Sequence, residues 1–223
     1  MWAEGNAFGI PAGTSIQGPA AKRKYSALEF FFQGNWDRMF LQGSYTYAKS
    51  KGNTEGGVKS DIGQDDTGTT QDFDYPELTL GAYGYLPNDR RHTLKVFGNY
   101  ELTDEWAVGA NLLVQSGRPV NCFGYLGDYL TSRYGNSYFS CDPGPIDDMS
   151  DNGSTIVPRG SAGRTPWQRT LDMNVSYRPS FADGNLLFKV DVFNVFNAQE
   201  VTTVDEFGED VIGRPTFGEN CGG

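Results

Sequence analysis

The chain has 223 residues, and its 28 acidic against 18 basic side chains give a net charge of -10, so it lacks the basic surplus needed to bind nucleic acid. No run approaches the ~20 apolar residues of a transmembrane helix, yet a mean hydropathy of -0.50 does not exclude a membrane β-barrel, whose strands alternate and whose loops are polar. Aromatics at 14% and 29 glycines favour β-structure with many turns.

The first residues, MWAEGNAFGIPAGTSIQGPAAKRK, have no basic segment followed by an apolar one, as a secretion signal would. Two readings remain: a protein kept inside the cell, or an internal piece of a longer precursor. Strand-like runs then come in pairs. In 25–33, Leu28, Phe30 and Phe32 share one face, and Ala27, Glu29, Phe31 and Gln33 the other. After the turn GNWD, 38–50 sets Met39, Leu41, Tyr45 and Tyr47 against Gln42, Ser44, Thr46 and Ala48. An irregular stretch, 51–89, precedes the second pair. There His92, Leu94, Val96, Tyr100 and Leu102 oppose Thr93, Lys95, Asn99 and Glu101. Across the turn TDE, Trp106, Val108, Ala110, Leu112 and Val114 oppose Gly109, Asn111 and Gln115. A second irregular stretch, 117–165, leads to the third pair. Trp167, Leu171, Met173, Val175 and Tyr177 oppose Asp172, Asn174, Ser176 and Arg178, and 186–197 follows with Leu186, Phe188, Val190, Val192 and Phe196 on its apolar face.

Short and long connections therefore alternate. If successive strands pair antiparallel, every short turn lies at one end of the sheet and every long loop at the other, as in outer-membrane barrels. Tyr45, Tyr47, Tyr100, Trp106, Trp167 and Tyr177 sit near strand ends on the apolar face, where interfacial aromatic girdles belong; the alternative is ordinary aromatic core. Arg169 interrupts that face near the long-loop end, where it can meet lipid phosphate. Cys122 and Cys141 lie in one aromatic loop without the CxxC spacing of a zinc site. They suit a disulfide formed in an oxidising compartment and stabilising by about 3 kcal/mol, against two free thiols in a cytosolic loop.

The phrases LPNDRRH (86–92), SGRPVNC (116–122), PRGSAGRTPW (158–167), FKVDVFNVFN (188–197) and VDEF (204–207) occur in this order. Together they resemble the C-terminal barrel region of TonB-dependent outer-membrane receptors, most nearly the Oar-like subgroup, over residues 24–218. The resemblance implies an all-β fold: an antiparallel up-and-down meander of about six strands from a transmembrane barrel of ~22 strands, with short periplasmic turns and long extracellular loops. It implies that residues 1–24 end one extracellular loop, that 51–89 and 117–165 are others, and that 198–223 is part of another, with the final barrel strand and the plug lying outside this chain. The implied function is uptake of an unidentified scarce or bulky ligand across the outer membrane of a Gram-negative bacterium, driven through TonB and the plug. Outer-membrane lipid and lipopolysaccharide are the further implied partners.

Catalysis has little support. The one histidine, His92, falls on an apolar face, and no catalytic triad, phosphate loop or cofactor motif can be assembled, so we expect neither an enzyme nor a cofactor. Loop aromatics are candidates for ligand contact: Tyr75, Tyr83, Tyr85, Phe123, Tyr125, Tyr129, Tyr134, Tyr138 and Phe139 offer flat apolar area, although the same rings can equally pack the loops together. Asp172, Arg178, Lys189 and Asp191 are candidates for a charged network on the lumen face. Asp61, Asp65 and Asp66 supply hard oxygen ligands for Ca²⁺ without the spacing of an EF-hand, and a solvated acidic loop is the simpler reading. The rival to the receptor is a secreted soluble β-sandwich binding carbohydrate or protein, which requires two sheets with their apolar faces meeting inside.

Overall fold

A computed structural model describes residues 2–3, 15–16, 18–126, 135–141 and 155–208. Its frame is one open antiparallel sheet of six long strands: β1 (Arg23–Asn35), β2 (Met39–Gly52), β3 (His92–Glu101), β4 (Trp106–Gln115), β5 (Gln168–Tyr177) and β6 (Phe188–Val192). The spatial order is the chain order, β1-β2-β3-β4-β5-β6, with the short strand Gly84–Tyr85 added against the end of β2. This is the expected up-and-down meander. The sheet does not close: β1 and β6 are its two edges.

Register carries one residue set across the whole sheet. Phe30 lies opposite Tyr45, Tyr45 opposite Leu94, Leu94 opposite Val114, and Val114 opposite Arg169. One row along, Val96 meets Leu112, and Leu112 meets Leu171. Opposed residues point to the same side, so the apolar sets of all six strands make one surface. Nothing among the described residues covers it: Phe30 is 57% exposed, Val190 65% and Val175 41%. A sandwich buries such a face under a second sheet. A lone sheet with a bare apolar face contradicts that alternative, because water would not leave so much greasy surface open.

Short turns join β1 to β2, β3 to β4 and β5 to β6, all at one end. At the first, Trp36 N–H donates to the Met39 carbonyl at 2.8 Å. At the second, Thr103 Oγ1 accepts from Glu105 and Trp106 N–H at 3.2 and 3.0 Å. The third is longer, passing through the single helical turn Ser180–Ala182 before Asp183 and Gly184 reverse the chain at positive φ.

The last strand is shorter than its pattern suggests. Alternation predicts a strand over 186–197, but the regular ladder ends at Val192, beyond which Val195 N–H still donates to the Leu171 carbonyl on β5 at 2.8 Å. The two asparagines of the Phe-Asn steps bracket one turn, closed by Asn197 N–H donating to the Asn194 carbonyl at 2.8 Å: both sit at φ 49°, a left-handed conformation that Asn tolerates better than most residues. Asn194 holds the turn itself, its Oδ1 accepting from Ala198 N–H at 2.8 Å and its Nδ2 donating to the Ala198 carbonyl at 3.1 Å. Its own N–H donates to Asp172 Oδ1 on β5 at 2.8 Å.

Candidate functional site: the aromatic rows, the polar face and the loop assembly

The aromatic residues form two rows on the apolar face. At the loop end, the His92 ring stacks on Trp167 at 5.6 Å and on Tyr45 at 6.1 Å, and meets Tyr47 at 5.2 Å. Tyr45 Oη and His92 Nδ1 share a hydrogen bond of 2.7 Å. That bond and the stacked rings account for the histidine structurally. At the turn end, Trp106 stacks on Tyr177 at 4.5 Å, and Tyr177 on Phe188 at 6.4 Å. Between the rows β5 runs 10 residues. At ~3.3 Å each this is ~33 Å of strand. Tilted by ~40°, it rises ~25 Å, the height of the apolar band of an outer-membrane barrel.

The opposite face is mostly polar, with Gln115 bonded to Gln168 and a shallow hollow lined by Phe40, Phe97, Asn99, Asn111, Asp172 and Asn174. Phe40 and Phe97 pack there at 5.9 Å. The four residues expected to form one charged network on this face are not joined as one. Lys189 pairs with its own strand neighbour Asp191 at 2.7 Å, Asp172 caps Asn194, and Arg178 lies at the turn with its N–H on the Glu105 carbonyl at 2.7 Å. Strand geometry explains this: Lys189 and Asp191 are two residues apart and so share a face, whereas Arg178 has passed the end of β5.

The two long connections fold on each other. A small apolar centre of Ala82, Phe123 and Phe139, flanked by Ile62 and Phe207, is ringed by buried charge. Lys59 Nζ donates to Asp72 Oδ1 at 3.0 Å, and Arg159 Nη2 donates to the same oxygen at 3.2 Å. Arg159 Nη1 lies 3.7 Å from Asp61 Oδ2. The cationic side chains lie on the rings: Lys59 Nζ is 4.7 Å and Arg159 Cζ 4.7 Å from the Phe139 centroid. Asn121 extends the network, its Nδ2 donating to Asp61 Oδ2 at 3.2 Å and to Glu206 Oε2 at 2.6 Å, while Arg118 pairs with Glu206. Glycine permits the closeness: a Cβ on Gly84 would fall on the Arg159 carbonyl, and one on Gly117 on that of Thr165.

Burial alone pushes the Asp72 carboxyl up, but the Lys59 and Arg159 charges outweigh it and hold the group below its ordinary value. For Glu206 burial wins, and its carboxyl is raised despite Arg118 and the Asn121 N–H. The Tyr85 phenol is held low, first by its hydrogen bond with Arg91 and then, against burial, by Lys51.

Of the proposed ligand-contact rings, Phe123, Tyr125, Tyr138 and Phe139 are buried inside this assembly, with Phe123 at 0% and Phe139 at 1% exposure. They pack the loops and present no surface to a ligand. Tyr83 is exposed and Tyr75 and Tyr85 are half-buried, so these three remain accessible. Tyr129, Tyr134 and Cys221 lie outside the described residues. Cys122 and Cys141 are brought within reach of a disulfide, with Cα atoms 5.9 Å apart. Of the calcium candidates, Asp61 is buried against Arg159 and Asn121, and Asp65 and Asp66 lie on an exposed stretch; no cluster of three acidic, His or Cys residues suited to a metal occurs among the described residues.

The polar members of the loop core are the residues sequence reasoning missed. Lys59, Asn121, Arg159 and Glu206 carry no periodic signal, although three of them lie within the phrases that mark the resemblance.

Comparison with known proteins decides the relationship. The chain is 34% identical over 213 residues to the TonB-dependent transporter Oar of Myxococcus xanthus, an alignment covering 91% of this chain and 18% of that protein. This chain is related to a TonB-dependent transporter. It spans under a fifth of that relative's length. No family profile matches the chain, and no solved structure matches it. The sheet has one bare apolar face bordered by aromatic rows, and its long connections stand at one end.

Proposed function

We propose that the chain is part of the barrel wall and outer loops of an outer-membrane transporter that takes up a scarce or bulky ligand with energy delivered through TonB. The observation that carries this reading is the continuous apolar face between two aromatic rows separated by the 10 residues of β5, a length that at the usual barrel tilt of ~40° spans an apolar band of ~25 Å. The 34% identity to a TonB-dependent transporter supports the energy source. On this reading the apolar face meets outer-membrane lipid and lipopolysaccharide, the mostly polar face lines the lumen, and the remaining strands and a TonB-contacting plug belong to the rest of the protein. The loops stand outside the cell, where Cys122 and Cys141 are oxidised. Tyr75, Tyr83 and Tyr85 are the ring surfaces this segment offers to the ligand. The reading gives the chain no catalytic role.

The test is expression of the full-length gene product in a Gram-negative host, followed by fractionation and uptake assays. The protein is expected in the outer membrane in a heat-modifiable form, with uptake lost when TonB is deleted or the proton gradient collapsed. Recovery as a soluble periplasmic or cytosolic protein would refute the assignment.

A further inference from the structure

Three of the phrases that carry the resemblance each deliver an arginine to one place at the loop end of the sheet: Arg90 from LPNDRRH, Arg118 from SGRPVNC and Arg164 from PRGSAGRTPW. Neighbouring backbone gathers them. Arg90 Nη1 donates to the Ser116 carbonyl at 3.1 Å, and Arg164 Nη1 to the next carbonyl, that of Gly117, at 2.9 Å and to that of Asp89 at 3.0 Å. Arg118 follows directly in the same segment, its N–H donating to Thr165 Oγ1 at 3.0 Å and its guanidinium donating to the Pro119 carbonyl at 3.2 Å and to Glu206.

Local charge does not balance. Asp89 serves both Arg91, at 3.2 Å, and Arg164, at 3.3 Å, and Glu206 serves Arg118. Arg90 pairs with no carboxylate among the described residues. Four guanidinium groups thus share two carboxylates in a protein whose overall charge is -10. Like-charge crowding from Arg118 and Arg164, with burial as the larger cause, makes the Arg90 proton easier to lose than an ordinary arginine's. Among the fully buried charges elsewhere in the loops, Lys59 and Arg159 face Asp61 and Asp72, two against two. Access remains: Arg90 is half-buried, and the Arg164 side chain is 30% exposed.

We propose that Arg90, Arg118 and Arg164 form a binding site for a phosphate-type oxyanion. Guanidinium groups present planar pairs of N–H donors that match tetrahedral oxyanions, and three of them from separate segments can surround one such group. The oxyanion comes either from a soluble phosphorylated compound or from the phosphate of a lipid headgroup. The site does not depend on the transport reading, since binding is measured on purified protein without uptake.

The test uses the full-length protein in detergent at low salt, in phosphate-free buffer. Calorimetry with inorganic pyrophosphate is run beside a phosphorus assay for co-purified lipid, on wild type, Arg90→Gln and Arg90→Lys. Arg90 holds no ion pair, so both variants are expected to fold, and hydrogen exchange in the loops checks this. Saturable pyrophosphate binding, weakened about tenfold or more by Arg90→Gln and less by Arg90→Lys, supports a site for a soluble oxyanion. Tightly held lipid phosphorus that falls in Arg90→Gln supports the same site filled from the membrane. Neither pyrophosphate binding nor a lipid phosphorus content that depends on Arg90, in protein whose loops remain folded, would overturn the proposal and leave the arginines as ties between loops.

Discussion

Replacing Arg159 with alanine probes the loop assembly at its most loaded point. The guanidinium is fully buried, donates to Asp72 at 3.2 Å, faces Asp61 at 3.7 Å and lies over Phe139. Without it Asp72 keeps Lys59 as its one cationic partner, and Asp61 keeps the neutral Asn121 amide. Breaking a buried pair from one side costs about 3–5 kcal/mol, because the partner's charge stays buried. Loop opening should become easier by that amount, so amide exchange there should quicken by roughly two to three and a half decades. The amides to follow are Phe123, bonded to the Glu206 carbonyl at 2.8 Å, and Val157, bonded to that of Phe139 at 3.0 Å. Hydrogen-exchange mass spectrometry on the full-length protein reads them, with amides in β4 as an unchanged reference. Unaltered exchange at Phe123 and Val157 in Arg159→Ala would show that the charge network does not hold the loops.

Leu112→Arg, at the middle of the apolar face, should destabilise folding into lipid vesicles by about 2–4 kcal/mol, whereas Asn111→Arg on the other face should cost much less; denaturant titration of both variants measures the difference. Asp72 titrates below its ordinary 3.8 when folded, so its contribution is complete above that value and is lost as pH falls through the depressed one. Loop exchange in wild type should therefore accelerate in acid more than in Asp72→Asn, and equal acid sensitivity would contradict the pairing. In protein purified without reductant, Cys122 and Cys141 should resist alkylation until a reductant is added, as peptide mass spectrometry would show.

The sheet was legible in the sequence because a strand with one face in an apolar medium must alternate, and the alternation in 38–50, 92–102, 106–116 and 167–178 fixed both the strands and their faces. The last strand was overextended: alternation of Phe and Val through 186–197 hid two asparagines whose left-handed backbone breaks the regular ladder after Val192. The contact of rings on the polar face, Phe40 and Phe97, could not be anticipated, since it depends on register between β2 and β3. The loops were the least legible part. Asp61 reads as a calcium ligand and Phe123 as a contact surface until Arg159 and Phe139, brought from far along the chain, are seen beside them. Nothing periodic announces such partners, because each loop core is assembled from contacts distant in sequence.

The central claim is that one face of the sheet lies in lipid and the other lines a lumen. Single cysteines placed in turn along 171–177 of β5, spin-labelled in the full-length protein in lipid bilayers, test it most directly. Labels at Leu171, Met173 and Val175 should be accessible to oxygen dissolved in the bilayer, and those at Asp172, Asn174 and Ser176 should not. Loss of that period-two alternation, or contact of both sets with bulk water, would contradict the account.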